Sequence, residues 1–133
     1  MKRTLLICMM LFAMISASAQ SIRGFISTGE NVNVRKGPGT RYAIVQGDGG
    51  NIQLSKGQVV IYKGKKKNGF YYVHVSRVEP GIAYFDYDGW VSAKYLHAVT
   101  VCSECGGHGY VGDIEDMDLC GKCQGEGYFE RRR

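Results

Sequence analysis

The sequence predicts an all-β protein, a small closed barrel followed by a short β-hairpin module. Three observations carry this. No stretch repeats apolar residues at the 3.6-residue spacing of a long amphipathic helix. Residues 24–99 alternate short β-branched and aromatic runs with Gly, Pro, Asn and Asp, the pattern of many short strands joined by tight turns. Near the C-terminus the eight-residue pattern CxxCxGxG occurs twice, once from Cys102 and once from Cys120.

The first residues stand outside this plan. Lys2 and Arg3 precede an apolar run at 5–15, and Ala17-Ser18-Ala19 offers the small residues of a cleavage site. That is the layout of a secretory signal peptide, residues 1–19, with the mature chain starting at Gln20. The run is too short for a stable transmembrane span, and no later stretch is apolar enough to provide one. The expectation is an exported chain, periplasmic or extracellular, with no membrane span after cleavage. Removing the leader also removes Cys8 and leaves four cysteines, all in the repeated motif.

The barrel elements follow in order, five to seven short strands in all. Asn31-Val32-Asn33-Val34-Arg35 alternates with period two, as a half-buried strand does. Lys36-Gly37-Pro38-Gly39 breaks it, and Tyr42-Ala43-Ile44-Val45 resumes extended structure before a loop at 47–51. Gln58-Val59-Val60-Ile61-Tyr62 is a strand. Residues 63–69 form a basic hairpin tip with an Asn-Gly turn signal. Residues 70–78 are the longest strand, with Tyr71, Val73 and Val75 on one face and Phe70, Tyr72 and His74 on the other. Asp88–Ser92 is the last strand, followed by one helical turn at 93–96. A barrel hides strand edges that an open sheet of this size would expose.

The C-terminal unit, 100–129, ends in a basic tail at 130–133. Two CxxC turns aim four sulfurs at one point, which is the chemistry of a four-thiolate zinc site holding one Zn²⁺ on Cys102, Cys105, Cys120 and Cys123. Four thiolates close the coordination shell, so the site is structural. A tail of this length cannot bury enough apolar surface to fold alone, and the metal supplies the missing free energy. Disulfides are the rival state, since exported chains meet oxidising conditions. Tyr110-Val111 and Tyr128-Phe129 follow the two repeats at equivalent places. The expectation is that they pair with each other, with 112–119 as an acidic tip. His108, at the variable position of the first repeat, reads as an exposed filler.

The charges divide in the same way. Residues 20–99 carry eleven Lys/Arg against five Asp/Glu, and residues 100–133 carry four against seven. A basic body and an acidic tail are expected to meet different partners or each other. Lys63, Lys65, Lys66 and Lys67 read as a solvated loop, because export removes nucleic acid as a partner. The acidic tip lacks the ligand order of a calcium loop.

Three segments carry a family resemblance: 32–44 (VNVRKGPGTRYAI), 68–75 (NGFYYVHV) and 89–96 (GWVSAKYL). Together they resemble the hallmark segments of bacterial SH3 domains and bracket residues 24–99. Phe70 stands where that family usually has Trp, and 77–88 is longer than its usual hairpin. The resemblance implies an SH3-like barrel that binds cell-wall peptide or another envelope protein and performs no catalysis. Asn33, Tyr42 and Trp90 are the residues it suggests for a ligand groove. The CxxCxGxG repeats resemble half of the cysteine-rich region of DnaJ-type co-chaperones, which implies the same four zinc ligands. No nucleophile–base motif is visible, so the expectation is a non-enzymatic adaptor. The alternative is an envelope thiol-redox or chaperone-like factor using the two CxxC pairs directly.

Overall fold

The computed structural model describes residues 22–47, 49–79 and 83–130. The expected signal peptide, and residues 131–133 of the expected basic tail, lie outside them. The regular structure of the described residues is almost all strand: β1 (Ile22–Ser27), β2 (Val32–Asn33), β3 (Gln46–Gly47), β4 (Gly50–Asn51), β5 (Gln53–Leu54), β6 (Val59–Lys67), β7 (Phe70–Glu79), β8 (Ala83–Ser92), β9 (Leu96–Val101), β10 (Tyr110–Asp113), β11 (Asp116–Leu119) and β12 (Tyr128–Glu130). The helical turn expected after Ser92 is a single 3₁₀ turn, Ala93–Tyr95.

One six-stranded antiparallel sheet runs in the order β12-β9-β1-β6-β7-β8. Hydrogen bonds from the intervening loops curl it into a barrel. Arg35 bridges to Trp90 of β8 and to Ile44, the Val34 N–H donates to Ile52, and β2 pairs with β5. The Ser27 N–H then donates to Gln58, and the Gly57 N–H to Ser27, which returns the chain to β1. Inside, Phe25, Val60, Val73, Val75 and Val91 alternate inward and meet Val32, Val34 and Leu54 in one buried cluster. Each such side chain contributes roughly 1.5–3 kcal/mol on leaving water. Of the two faces of β7, the one carrying Tyr71, Val73 and Val75 is turned to the core.

Several local expectations change. Strand β6 does not stop at Tyr62. It bulges between Tyr62 and Lys65 and pairs on through Lys67. Only Asn68 and Gly69 turn, with φ of 53° and 76°, the two left-handed positions of a tight hairpin. Lys65 and Lys66 therefore lie on a strand, their ammonium groups over the rings of Tyr72 and Tyr71. Both long side chains gain apolar cover there that a loop tip would not give them. The loop expected at 47–51 contains a small ribbon, with Gly47 opposite Gly50. Strand β8 begins at Ala83 rather than Asp88, and β9 is an additional strand.

The larger correction concerns the tail. The cut between residues 99 and 100 falls inside β9. Tyr110-Val111 pairs with Leu119 and Asp118 across a two-residue turn, whereas Tyr128 and Phe129 pair with Val101 and Thr100 of β9. The two aromatic pairs do not meet. Joining an existing sheet edge gives β12 backbone partners that a short isolated hairpin would leave exposed to water.

Candidate metal centre and ligand cleft

The loop between β9 and β12, residues 102–127, is built with an internal twofold repeat. The Cys102 N–H donates to the Gly127 carbonyl, and the Cys120 N–H to that of Gly109, both at 2.9 Å. Each repeat thus ties the start of one motif to the end of the other. Gly109 and Gly127 must be glycine for this. Their φ angles are positive, and a Cβ on either would overlap the backbone of Gly125 or Gly107.

The result gathers all four predicted cysteines. Their sulfurs lie within 4.8 Å of one another, and the residues are 0–5 % exposed. The short distances run between motifs, Cys102 to Cys120 at 3.8 Å and Cys105 to Cys123 at 3.6 Å. A tetrahedron with metal–sulfur bonds of ~2.3 Å has edges of about 3.8 Å. A disulfide would require about 2.05 Å, and all four thiols are free. The cluster has the dimensions of a metal site.

Backbone donors prepare it for negative charge. The Gly109 N–H points at the Cys105 sulfur at 3.3 Å, and the Gly127 N–H at the Cys123 sulfur at 3.2 Å. Burial pushes the Cys105 thiol up to about 12, against the Gly109 and Gly107 amides. Burial acts on Cys123 in the same direction, but the Gly127 amide and the neighbouring thiols outweigh it and bring Cys123 to about 7. One proton leaves readily, while another stays until a cation replaces it.

The knuckle does not hang from the barrel; it covers it. Val99 and Val101, each 1 % exposed, and Val59 point away from the barrel core on the outer face of the sheet. Gly107 lies over Val59 and Val101. The continuous apolar run Val59-Val60-Ile61 was the available signal, because a strand buried on both faces loses its polar alternation. His108 is not an exposed filler. Its ring is half-buried against β7, with Nδ1 3.1 Å from the Ser76 hydroxyl. Burial lowers its pKa, partly offset by Asp86.

This docking makes a cleft with walls from both units. Lys56, Ser76, Arg77, His108 and Glu126 line a cavity of about 350 Å³ at the seam. It shares Gln58 and Arg77 with a more apolar cavity of about 500 Å³ lined by Ile52, Val75, Phe85 and Tyr87. The long β7–β8 hairpin supplies Phe85 and Tyr87, placed opposite Arg77 and Val75. The alternation Phe85-Asp86-Tyr87-Asp88 marks this face in the sequence.

The three groove residues suggested by the sequence do not share one site. Asn33 accepts a hydrogen bond from Gln53 at 2.7 Å and lines a cavity of about 240 Å³ with Phe70 and Tyr95. Tyr42 lies over Gly37, while Trp90 stacks against Tyr72 at 5.2 Å. Neither lines the Asn33 cavity.

No curated protein and no solved structure matches the chain. The model of the bacterial SH3 domain matches residues 30–97, just over half of the 133 residues. The barrel, its core and this match agree, and the chain belongs to the bacterial SH3 domain family.

Proposed function

We propose that this protein is an exported, non-enzymatic adaptor that recognises an envelope peptide or protein, with one structural Zn²⁺ on Cys102, Cys105, Cys120 and Cys123. The observation that carries the reading is the shared cleft. The knuckle contributes His108 and Glu126 to a cavity whose other wall is the barrel, so folding the metal unit completes a binding surface. Half of a DnaJ-type cysteine-rich region then acts as a rigid second wall. An extended peptide seats an apolar side chain between Phe85 and Tyr87 and runs its backbone past Gln58 toward Lys56 and His108. The alternative, a thiol-redox factor, draws on the low pKa of Cys123. It is the weaker reading because burial denies the four sulfurs to a substrate disulfide.

Two measurements test this. Metal analysis of the purified processed chain gives one equivalent of zinc, with four thiols that react only after chelation. Two disulfides and no metal would overturn the metal half. Titrating a synthetic cell-wall stem peptide into the zinc-loaded protein shifts the amide resonances of Phe85, Tyr87 and His108, and chelation abolishes the shifts. Binding that survives chelation unchanged, or no binding, rejects the two-walled adaptor.

A further inference from the structure

At the opposite side of the β1–β6 pairing the barrel has an open mouth, and its chemistry differs from that of the cleft. Strands β1 and β6 pair at Gly24–Ile61 and then part: β1 continues along β9 to Ile22, while β6 bulges after Tyr62. Gly64, with φ of 83°, lies inside that bulge. The parting leaves a cavity of about 280 Å³ lined by Arg23, Phe25, Tyr62, Lys66, Tyr71 and Ala98, with Gly24 at its edge.

Three aromatic rings form its apolar wall. Phe25 lies 4.5 Å from Tyr71 and 5.7 Å from Tyr62, and the two tyrosines meet edge to face at 5.5 Å. Arg23 and Lys66 stand at the rim, with the Lys66 ammonium 5.1 Å from the Tyr71 ring centroid. No carboxylate lines the cavity among the described residues. Among those residues, too, neither cation has an ion-pair partner, and neither tyrosine hydroxyl is hydrogen-bonded. By contrast, Lys63 on the same strand is paired with Asp88 at 3.6 Å.

We infer that this mouth binds an anionic sugar. A hexose ring has flat C–H faces that rest on aromatic rings, and hydroxyl edges that bond to phenols. A carboxylate or phosphate on it would pair with the guanidinium and ammonium at the rim. The cavity has room for a single group of that size rather than a long polymer segment. Binding here needs neither the metal knuckle nor the seam cleft, so it stands or falls separately from the adaptor reading.

The test titrates the processed full chain with glucuronate, glucose 6-phosphate and glucose, following the amide resonances of Gly24, Tyr71 and Ala98. The expected result is saturable shifts with at least one anionic sugar, about tenfold tighter than glucose, as one good charge-assisted contact would give. Whichever anion binds tighter assigns carboxylate or phosphate. The double variant Arg23→Gln/Lys66→Gln changes exposed rim groups only, and unchanged core valine resonances verify its fold. It should bind the anionic sugars no better than glucose. Tyr62→Phe keeps the ring and should weaken all three sugars. Glucose binding as tightly as its anionic relatives, undiminished binding to the double variant, or shifts confined to Lys56 and Tyr87 would each overturn the proposal. So would the absence of any saturable shift.

Discussion

Gly107 of the knuckle rests on Val59 of the barrel: a Cβ at Gly107 would stand 3.1 Å from the nearer Val59 methyl and 3.2 Å from one on Val101. The backbone there has φ of 93°. Two constraints therefore meet at one position, a left-handed conformation and a close approach between the two units. Gly107→Ala should cost about 1–3 kcal/mol, from overpacking and the unfavourable φ together. Gly121→Ala, where an added Cβ would meet nothing within 4 Å, should stay within about 0.5 kcal/mol of the parent. Urea unfolding of the two variants measures the difference. Equal stabilities would mean that the knuckle does not press on the sheet.

Metal removal should weaken the barrel as well as the knuckle. Val59 and Val101 lose the cover of Gly107 if the knuckle opens, and β9 loses β12 as its neighbour. Re-exposing these two valines costs about 3–6 kcal/mol at most. Fluorescence of Trp90, the single tryptophan, reports the barrel alone. Its thermal midpoint should fall by about ten degrees or more on chelation, at about 4–8 °C for each kcal/mol lost in a domain of this size. A midpoint indifferent to chelation would show that the two units fold independently.

Acid should loosen the docking through His108. Its pKa is lowered by burial, so the folded state prefers the neutral ring. The stabilisation is fully present above the ordinary histidine value of 6.5, and it is lost as the pH falls through the lower folded value. His108→Gln keeps a polar partner for Ser76 and removes the titration. With zinc held saturating, the parent should lose stability relative to His108→Gln as the pH falls below 6.5. Parallel pH profiles for the two proteins would exclude His108 as the source.

The cysteine pairs should prove equivalent in binding metal but unequal in the apo thiols. In the metal-free chain Cys123 should react before Cys105 with an alkylating reagent near neutral pH, following their values of about 7 and about 12. Mass mapping of partly alkylated protein gives the order. Cys120→Ser should abolish tight zinc binding, although Cys120 is neither of these two, because a tetrahedral site needs every corner. Zinc retention by that variant would remove Cys120 from the ligand set.

Local chemistry by itself determined a good deal of this protein. The Asn68-Gly69 turn, the shared face of Val73 and Val75, the strand signal at Val59-Val60-Ile61 and the clustering of the four cysteines all follow from residue type and short spacing. Backbone sterics, period-two alternation and ligand geometry act within a few residues, so they can be read along the chain. Tertiary structure decided what those pieces meet. Whether Tyr128 pairs with Val111 or with Val101 depends on a sheet edge formed by residues far away in sequence, and the available edge of β9 won. His108 looked like filler in its motif because Ser76, its partner, lies 32 residues earlier. The cleft between Phe85 and His108 depends in the same way on a knuckle docked across the outer face of the barrel. Those contacts arise only when apolar surface on both units is removed from water together. No stretch read alone could show that the metal loop packs on the barrel through Gly107 and His108.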